Sequence, residues 1–403
     1  MSALLNIARR PTDLSQVAMK WNYPTTVHFG NGKRRELPSL CASLGVAAPL
    51  LITDAGLAAL PVIQETLNIC REGGLKVGLF SSIQPNPVEE NVTAGVAAYR
   101  AGGHDGVIAM GGGSALDAAK AIALMVGQTR PLWDFEDVAD WYTRVNVPGM
   151  APVIAVPTTA GTGSEVGRAS VITDVRDHTK KIIFHPKMLP ALVVLDPEVT
   201  VGLPAHLTAA VGMDALSHNL EALCSPYFHP MAHGIAVEGV RMIQRALIPA
   251  FDDGRDLNAR GEMLVASSMG ATAFQKGLGA MHSMSHPCGA VLNTQHGLTN
   301  AVVMPYVLMF NRAQVSDKLT DLARAMDLPA PSFDTFLRWV LDMRERLAIP
   351  HTLRALGVAE EHVATLATQA VADPSTGSNP RPLTQEAAEG LFARALSGDL
   401  SEG

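Results

Sequence analysis

"GVIAMGGGSALDAAKAIALMV", residues 106–126, holds the switch from strand to helix on which the architecture turns. A short apolar run breaks on Gly111-Gly112-Gly113-Ser114 and gives way to a small-residue-rich helical pattern. That pattern predicts a buried strand turning tightly into a helix. The first N–H groups of such a helix, with its dipole behind them, face an anion across glycines that let the backbone come close. Taken alone, the turn fits either a phosphate cradle or a plain strand-to-helix reversal. Gly111 and Gly113 match G-x-G, but Leu116 stands where the third glycine of a dinucleotide fingerprint belongs.

On either side, "APLLITD" (48–54), "KVGLF" (76–80), "PVIAVP" (152–157) and "ALVVLD" (191–196) are further short apolar runs separated by helical segments. Runs of this kind are strands covered on both faces by crossover helices, so this half is α/β with a mostly parallel sheet. Beyond Leu203-Pro204 the strand signals stop, and Ala/Leu/Met-rich helical patterns continue to the C-terminus. Proline suits the first turn of a new helix. Two domains are expected: an α/β dinucleotide-binding domain over 1–203 and an all-α domain over 204–403. The length of 403 residues agrees, since single cores stop growing near ~250–300 residues. The aromatic cluster "PLWDFEDVADWYTR" (131–144) between two expected strands reads as a lid, a structured insertion or a surface element.

Composition narrows the function classes. The net charge of −7 leaves nucleic-acid binding without its electrostatic basis. Four cysteines (Cys41, Cys70, Cys224, Cys288) without a CxxC pair fit reduced thiols and a cytoplasmic location. The opening "MSALLNIARRPTDLSQ" carries its arginines after the apolar residues and reads as no signal peptide. Residues 277–311 contain no Asp, Glu, Lys or Arg, yet His282, His286, Asn293, Gln295, His296 and Asn300 lie among them. Amides and imidazoles are costly in hydrocarbon, so this is the buried centre of the helical half and not a membrane span.

Two segments bear on the glycine turn. "PTTAGTGSEV" (157–166) sets Thr158, Thr159, Thr162 and Ser164 on a glycine-relaxed backbone after an expected strand, a second set of neutral donors for phosphate or ribose. "LLITD" ends in Asp54 at a strand's carboxyl end, where a carboxylate holds the ribose hydroxyls of NAD and repels a 2′-phosphate. The competing reading of Asp54 is a helix N-cap. It precedes the glycine turn by 57 residues instead of following by ~20, so the strand order cannot be the ordinary Rossmann one.

In "LTAAVGMDALSHNLEALCS" (207–225), Asp214, His218 and Glu221 form one polar stripe on an apolar helix. Burying such a stripe without neutralisation costs several kcal/mol, and the apolar surroundings argue for a cation. His282 and His286 are an i,i+4 pair, and His296 follows at a turn before Gly297. One carboxylate with several neutral imidazoles suits Fe2+ or Zn2+.

The GGGS turn, "PTTAGTGSEV", "GMDALSHNLEA" (212–222), "GAMHSMSHPCGAVLNTQHGLTNAVVMP" (279–305) and "NPRPLT" (379–384), in this order and spacing, resemble the iron-containing (group III) alcohol dehydrogenases from about residue 27 to the C-terminus. The resemblance implies a dinucleotide-binding α/β domain joined to an all-helical metal domain of dehydroquinate-synthase-like architecture. It implies Asp214, His218, His282 and His296 as metal ligands and His286 as the catalytic histidine near nicotinamide and metal. It further implies Asp54, Asn86, Gly113, Ser114, Thr158, Thr159, Thr162 and Lys181 as NAD contacts. Cys288 and Gln295 depart from the pattern; Cys288 reads as a soft ligand, an oxidation-sensitive thiol or a packing residue.

The activity so implied is NAD-linked hydride transfer between a small alcohol and its aldehyde or ketone, with Fe2+ (or Zn2+) as Lewis acid and a homodimer or higher homo-oligomer as the assembly. Rival readings are an oxidoreductase of a hydroxy acid or maleylacetate-like substrate, a metal- and NAD-dependent lyase, and a non-catalytic metal-binding protein. The lyase needs a cationic pocket, and residues 264–311 offer Lys276 alone.

Overall fold

The computed structural model describes residues 25–401. The opening segment, expected to be no signal peptide, lies outside them. In chain order the α/β half contains β1 (Thr26–Phe29), α1 (Leu37–Ser43), β2 (Pro49–Ile52), α2 (Ala55–Ala58), α3 (Pro61–Glu72), β3 (Gly78–Phe80), α4 (Glu89–Ala101), β4 (Gly106–Gly111) and α5 (Gly113–Met125). It continues through β5 (Val153–Pro157), β6 (Ala169–Asp174), β7 (Thr179–Phe184) and β8 (Leu192–Leu195). The helical half comes next as α6 (Ala205–Cys224), α7 (Pro230–Asp252), α8 (Leu257–Ala273), α9 (Ala280–Leu292), α10 (His296–Phe310), α11 (Arg312–Ala325), α12 (Phe333–Arg346), α13 (Val363–Ala372) and α14 (Gln385–Ser397).

Six strands form one sheet in the order β1-β8-β5-β4-β2-β3, and every pairing is parallel. Successive residues face opposite sides, and β2, β4, β5 and β8 are covered on both, which is why these four read as unbroken apolar runs. Ile108 and Met110 of β4 pack with α1 and α3 on one face, while Val107 and Ala109 pack with α4 and α5 on the other. The second face shares one hydrophobic core with α6, α7 and α8, so the helical half sits against that side of the sheet.

The five expected strands are all present. Two further features are not legible in the local sequence. β1 pairs only with β8 and is largely exposed, so it lacks the apolar run that marks a buried strand. β6 and β7 form a separate antiparallel hairpin, with Ala169 opposite Phe184, Val171 opposite Ile182 and Thr173 opposite Lys180. The aromatic cluster is a structured insertion of two 3-10 turns along this hairpin: Glu136 bridges to Ile183, and Asp137 N–H donates to Ile182 O at 2.7 Å. The charge-free stretch 277–311 forms α9 and α10, most of it buried, and no helix of the described residues is long and apolar enough to cross a membrane.

Candidate active site

β2 and β4 are neighbours in the sheet, but the chain leaves β2 for α3 on one face and β4 for α5 on the other. Where strand order reverses in this way, the carboxyl ends open a crevice. Asp54, two residues past β2, and Gly112, Gly113 and Ser114, directly past β4, therefore line one cleft of about 840 Å3. Asp54 also fills the competing role, its Oδ1 accepting from Leu57 N–H at 2.9 Å as the N-cap of α2. The hydroxyl-rich turn after β5 lies alongside, with Thr159 and Thr162 on the wall. A Cβ on Gly113 would come within 2.6 Å of Thr162 Cγ2, so the third glycine is required by this close approach. Thr158 is buried away from the wall, its N–H donating to Gly111 O at 2.9 Å.

The hydroxyl-rich turn is pinned from beneath by a buried cation. Lys120 of α5 donates to Ser164 O (3.0 Å) and to Ala169 O and pairs with Asp117 at 3.3 Å. Gly163, at φ 62° in the left-handed region, approaches α8 so closely that a Cβ would lie 2.2 Å from that of Ala271. Glu165 reaches across to Ser268 at 2.6 Å, burial raising its pKa. The two halves are thus clamped where the cleft begins.

The same cleft reaches Asp214 and His296. One ligand atom each of Asp214, His218 and His282 lies within 4.8 Å of the others, all three side chains being buried. Helical spacing supplies the first two from α6, while His282 comes from α9 and His296 from the first turn of α10. His296 Nε2 is 3.6 Å from Asp214 Oδ1. The rings of His218 and His282 stack at 4.6 Å, and His286 stacks on His296 at 5.3 Å.

Each histidine has its Nδ1 engaged: His218 with Gly161 O (3.2 Å), His282 with Glu221 (2.6 Å), His286 with Asp373 (2.7 Å) and His296 with Ser285 Oγ (2.9 Å). That fixes ring orientation and turns the Nε2 atoms inward, the arrangement of imidazoles that bind divalent metals. Asn300 Nδ2 sits among them, 2.8 Å from Asp214 Oδ1 and 3.3 and 3.2 Å from Nε2 of His282 and His296. An N–H dipole thus points at the lone pairs a cation would take. Burial pushes the His218 pKa down to about 4 and holds His296 well below its ordinary value, so both are neutral at pH 7. For His282 burial acts downward too, but the Glu221 carboxylate outweighs it and the pKa rises. The donor set fits a divalent ion.

The roles of Glu221, Ser285, Asp373 and Asn300 come from the structure alone. In the sequence Glu221 belongs to the stripe that needs a cation; in the fold its partner is His282. Asn86, in the left-handed region at φ 51°, donates to Asn293 Oδ1 at 2.8 Å and ties the α/β half to the end of α9. Cys288 is buried on α9 outside the ligand group, and burial pushes its thiol up to about 12, so packing is its role. Gln295 caps α10 by accepting from Leu298 N–H.

Lys181 lies outside the nucleotide cleft and the cavity of the four histidines, and borders instead a separate pocket with Lys180, His286 and Asp373. On the hairpin, Lys181 bonds Asp174 (2.7 Å) and pairs with Asp177 (3.2 Å), and Arg176 and Lys181 hold Asp174 well below the usual carboxylate range. Strand alternation turns its neighbour Lys180 the other way, onto the wall shared with His218, His282, His286 and His296. Arg168 lines the same cavity, so the cations scarce in residues 264–311 are supplied by the other half.

The family model described as "Iron-containing alcohol dehydrogenase" matches residues 24–197, and "Fe-containing alcohol dehydrogenase family, C-terminal" matches 208–396. The chain belongs to the iron-containing alcohol dehydrogenase family. As an iron-containing alcohol dehydrogenase it is an oxidoreductase that works with a metal ion and NAD. It is 41% identical over 388 residues to a 4-hydroxybutyrate dehydrogenase of Cupriavidus necator, covering 94% of this chain and 99% of that one. It is 34% identical over 380 residues to an NAD-dependent methanol dehydrogenase of Bacillus methanolicus, covering 93% and 98%. Among solved structures it is similar to a 1,3-propanediol oxidoreductase, with TM-score 0.89, 33% identity and coverage of 94% and 100%. It is also similar to a sulfoacetaldehyde reductase of Bifidobacterium kashiwanohense in complex with NAD+, with TM-score 0.84, 27% identity and coverage of 95% and 100%.

Proposed function

We propose that this alcohol dehydrogenase interconverts a small primary alcohol and its aldehyde, with Asp214, His218, His282 and His296 holding the metal ion and His286 beside them. When bound, the ion supplies Lewis acidity toward the substrate oxygen and NAD supplies the hydride acceptor. The observation that carries this reading is that Asp214 and His296 line the same cleft as Asp54 and the glycine turn, while His218 and His282 line an adjoining cavity that Gly113 and Ser114 also border. Gly113 and Ser114 offer N–H groups at the start of α5 to a pyrophosphate, Asp54 accepts from ribose hydroxyls, and Asn86, Thr159 and Thr162 line the path between. Thr158 shapes this turn from behind, and Lys180 takes the place expected of Lys181. His286, held by Asp373, accepts and passes on the hydroxyl proton.

The division of labour follows the domains, 1–203 for the nucleotide and 204–403 for the metal. A cytoplasmic location and a homodimer or higher homo-oligomer complete the reading. A hydroxy acid is the second reading for the substrate, supported by the likeness to a 4-hydroxybutyrate dehydrogenase and by the cations Lys180 and Arg168 on the cavity wall. The test is NADH absorbance during incubation with butan-1-ol, and its loss with butanal, after loading with Fe2+. Turnover without net absorbance change would overturn the oxidoreductase assignment in favour of a lyase.

A further inference from the structure

We infer that Arg168 recognises a carboxylate at the far end of the substrate, making the favoured alcohol an ω-hydroxycarboxylate; this rests on the oxidoreductase reading. The four histidines open into a cavity of about 270 Å3, small enough to select a short substrate. Its outer wall is one face of the β6–β7 hairpin. Ala169, Val171 and Thr173 on β6 stand opposite Phe184, Ile182 and Lys180 on β7, and five of these six residues line the cavity.

The guanidinium of Arg168 lies over the sixth, with Cζ 5.7 Å from the centre of the Phe184 ring. Tyr142, from the aromatic insertion, packs edge-on against that ring at 6.2 Å and backs this end of the hairpin. The imidazoles therefore mark the reacting end of the cavity, and Arg168 marks the hairpin end.

Among the described residues, no hydrogen bond or ion pair engages the Arg168 side chain. Asp137 feels its charge but lies beyond ion-pair distance. The acid inside the cavity is already committed: Asp117 accepts from Ser164 Oγ (2.5 Å) and Val171 N–H (3.0 Å) and pairs with Lys120. A half-buried guanidinium with five donors, stacked on a ring and facing a cavity whose own carboxylate is neutralised, suits a planar carboxylate in bidentate contact. A neutral alcohol of the same length leaves those donors unmatched.

The test uses the Fe2+-loaded enzyme with NAD and two alcohols of one chain length, 4-hydroxybutyrate and butane-1,4-diol, at constant ionic strength. Wild type is expected to favour the hydroxy acid in kcat/KM by about tenfold or more, the scale of a charge-assisted hydrogen bond. Arg168→Met is expected to lower that ratio by about tenfold or more, chiefly through KM for the acid, and Arg168→Lys to restore part of it. A wild-type ratio near one, or a ratio that moves less than about threefold in Arg168→Met, overturns the assignment. If Arg168→Met fails to fold, the wild-type ratio and Arg168→Lys decide. NADH formation from the diol without preference for the acid sinks the Arg168 assignment alone; no NADH from either sinks the oxidoreductase reading with it.

Discussion

Glu221 and His282 are joined by a 2.6 Å contact between a carboxylate oxygen and Nδ1, both side chains almost wholly buried. Glu221 holds the ring in the tautomer that leaves Nε2 free, and it raises the basicity of that atom. It also accepts from Met281 N–H at 2.6 Å, which fixes the first turn of α9 against α6. Glu221→Gln is therefore expected to weaken metal affinity by about 10–100-fold with helix content unchanged. Competition against a metal chelator, followed by mass-spectrometric metal analysis, reads this directly. Unchanged affinity would leave Glu221 a purely structural partner.

Removing the imidazole itself is a stronger test. His282→Ala takes away a proposed ligand from the centre of the cluster, where its ring contacts those of His218, His286 and His296. The expected result is loss of bound metal and of turnover, with circular dichroism preserved because α9 keeps its packing. Normal metal content and rate would remove His282 from the ligand set.

His218 makes one defined contribution to the pH dependence, in the same sense as His296 and opposed by His282, whose pKa is raised. The folded-state pKa of His218, about 4, lies below the ordinary 6.5, so the unfolded chain takes up the proton first. Its contribution to stability is therefore fully present above about pH 6.5 and is lost as pH falls toward 4. Competition between protons and a metal ion for His218 in the folded protein sets in only as pH approaches 4, because the buried imidazole stays neutral above that. Denaturant unfolding of the metal-free protein between pH 7 and 4 should show the loss of stability. A flat profile would contradict a buried neutral His218.

Asp54 serves two ends at once, capping α2 and lining the nucleotide cleft. Asp54→Gly should cost at most about 1 kcal/mol of stability, since glycine is tolerated at N-caps. It should also relax the preference for NAD over NADP, because the carboxylate that repels a 2′-phosphate is gone. An unchanged NAD/NADP ratio of kcat/KM would reduce Asp54 to its capping role.

The two adjacent lysines of β7 should separate cleanly. Lys180→Met is expected to lower NAD-linked kcat/KM by about tenfold or more, since a cation facing the histidine cavity is removed. Lys181→Met breaks contacts with Asp174 and Asp177 on the hairpin, away from that cavity, and should instead lower the melting temperature. Equal kinetic losses in both variants would refute the assignment by strand parity.

β2, β4, β5 and β8 were legible because covering a sheet on both faces demands unbroken apolar runs. The edge strand β3 was legible because it carries a short apolar run, although only Phe80 of it is buried. The helical half was legible for the complementary reason, and so were Asp214 with His218 and His282 with His286, whose i,i+4 spacing survives as shared helix faces. β1 was not, because its mostly exposed residues alternate polar with apolar (Thr26, Val27, His28, Phe29) and give no apolar run. The parity of Lys180 and Lys181 was not, because it is set by the hairpin's pairing with β6, and a shift of one residue exchanges the faces. Asp373 gives no signal at all: 87 residues separate it from His286, and only the packing of α13 on α9 brings them to 2.7 Å. Sequence alone thus determined the residue types, local periods and turn chemistry of this protein, all properties of neighbouring residues. Which strand lies beside which, and hence that Asp54, the glycine turn, Asp214 and His296 share one cleft beside the cavity of the four histidines, was decided by tertiary packing, because burial of apolar faces selects the topology and the polar atoms are carried to where it places them.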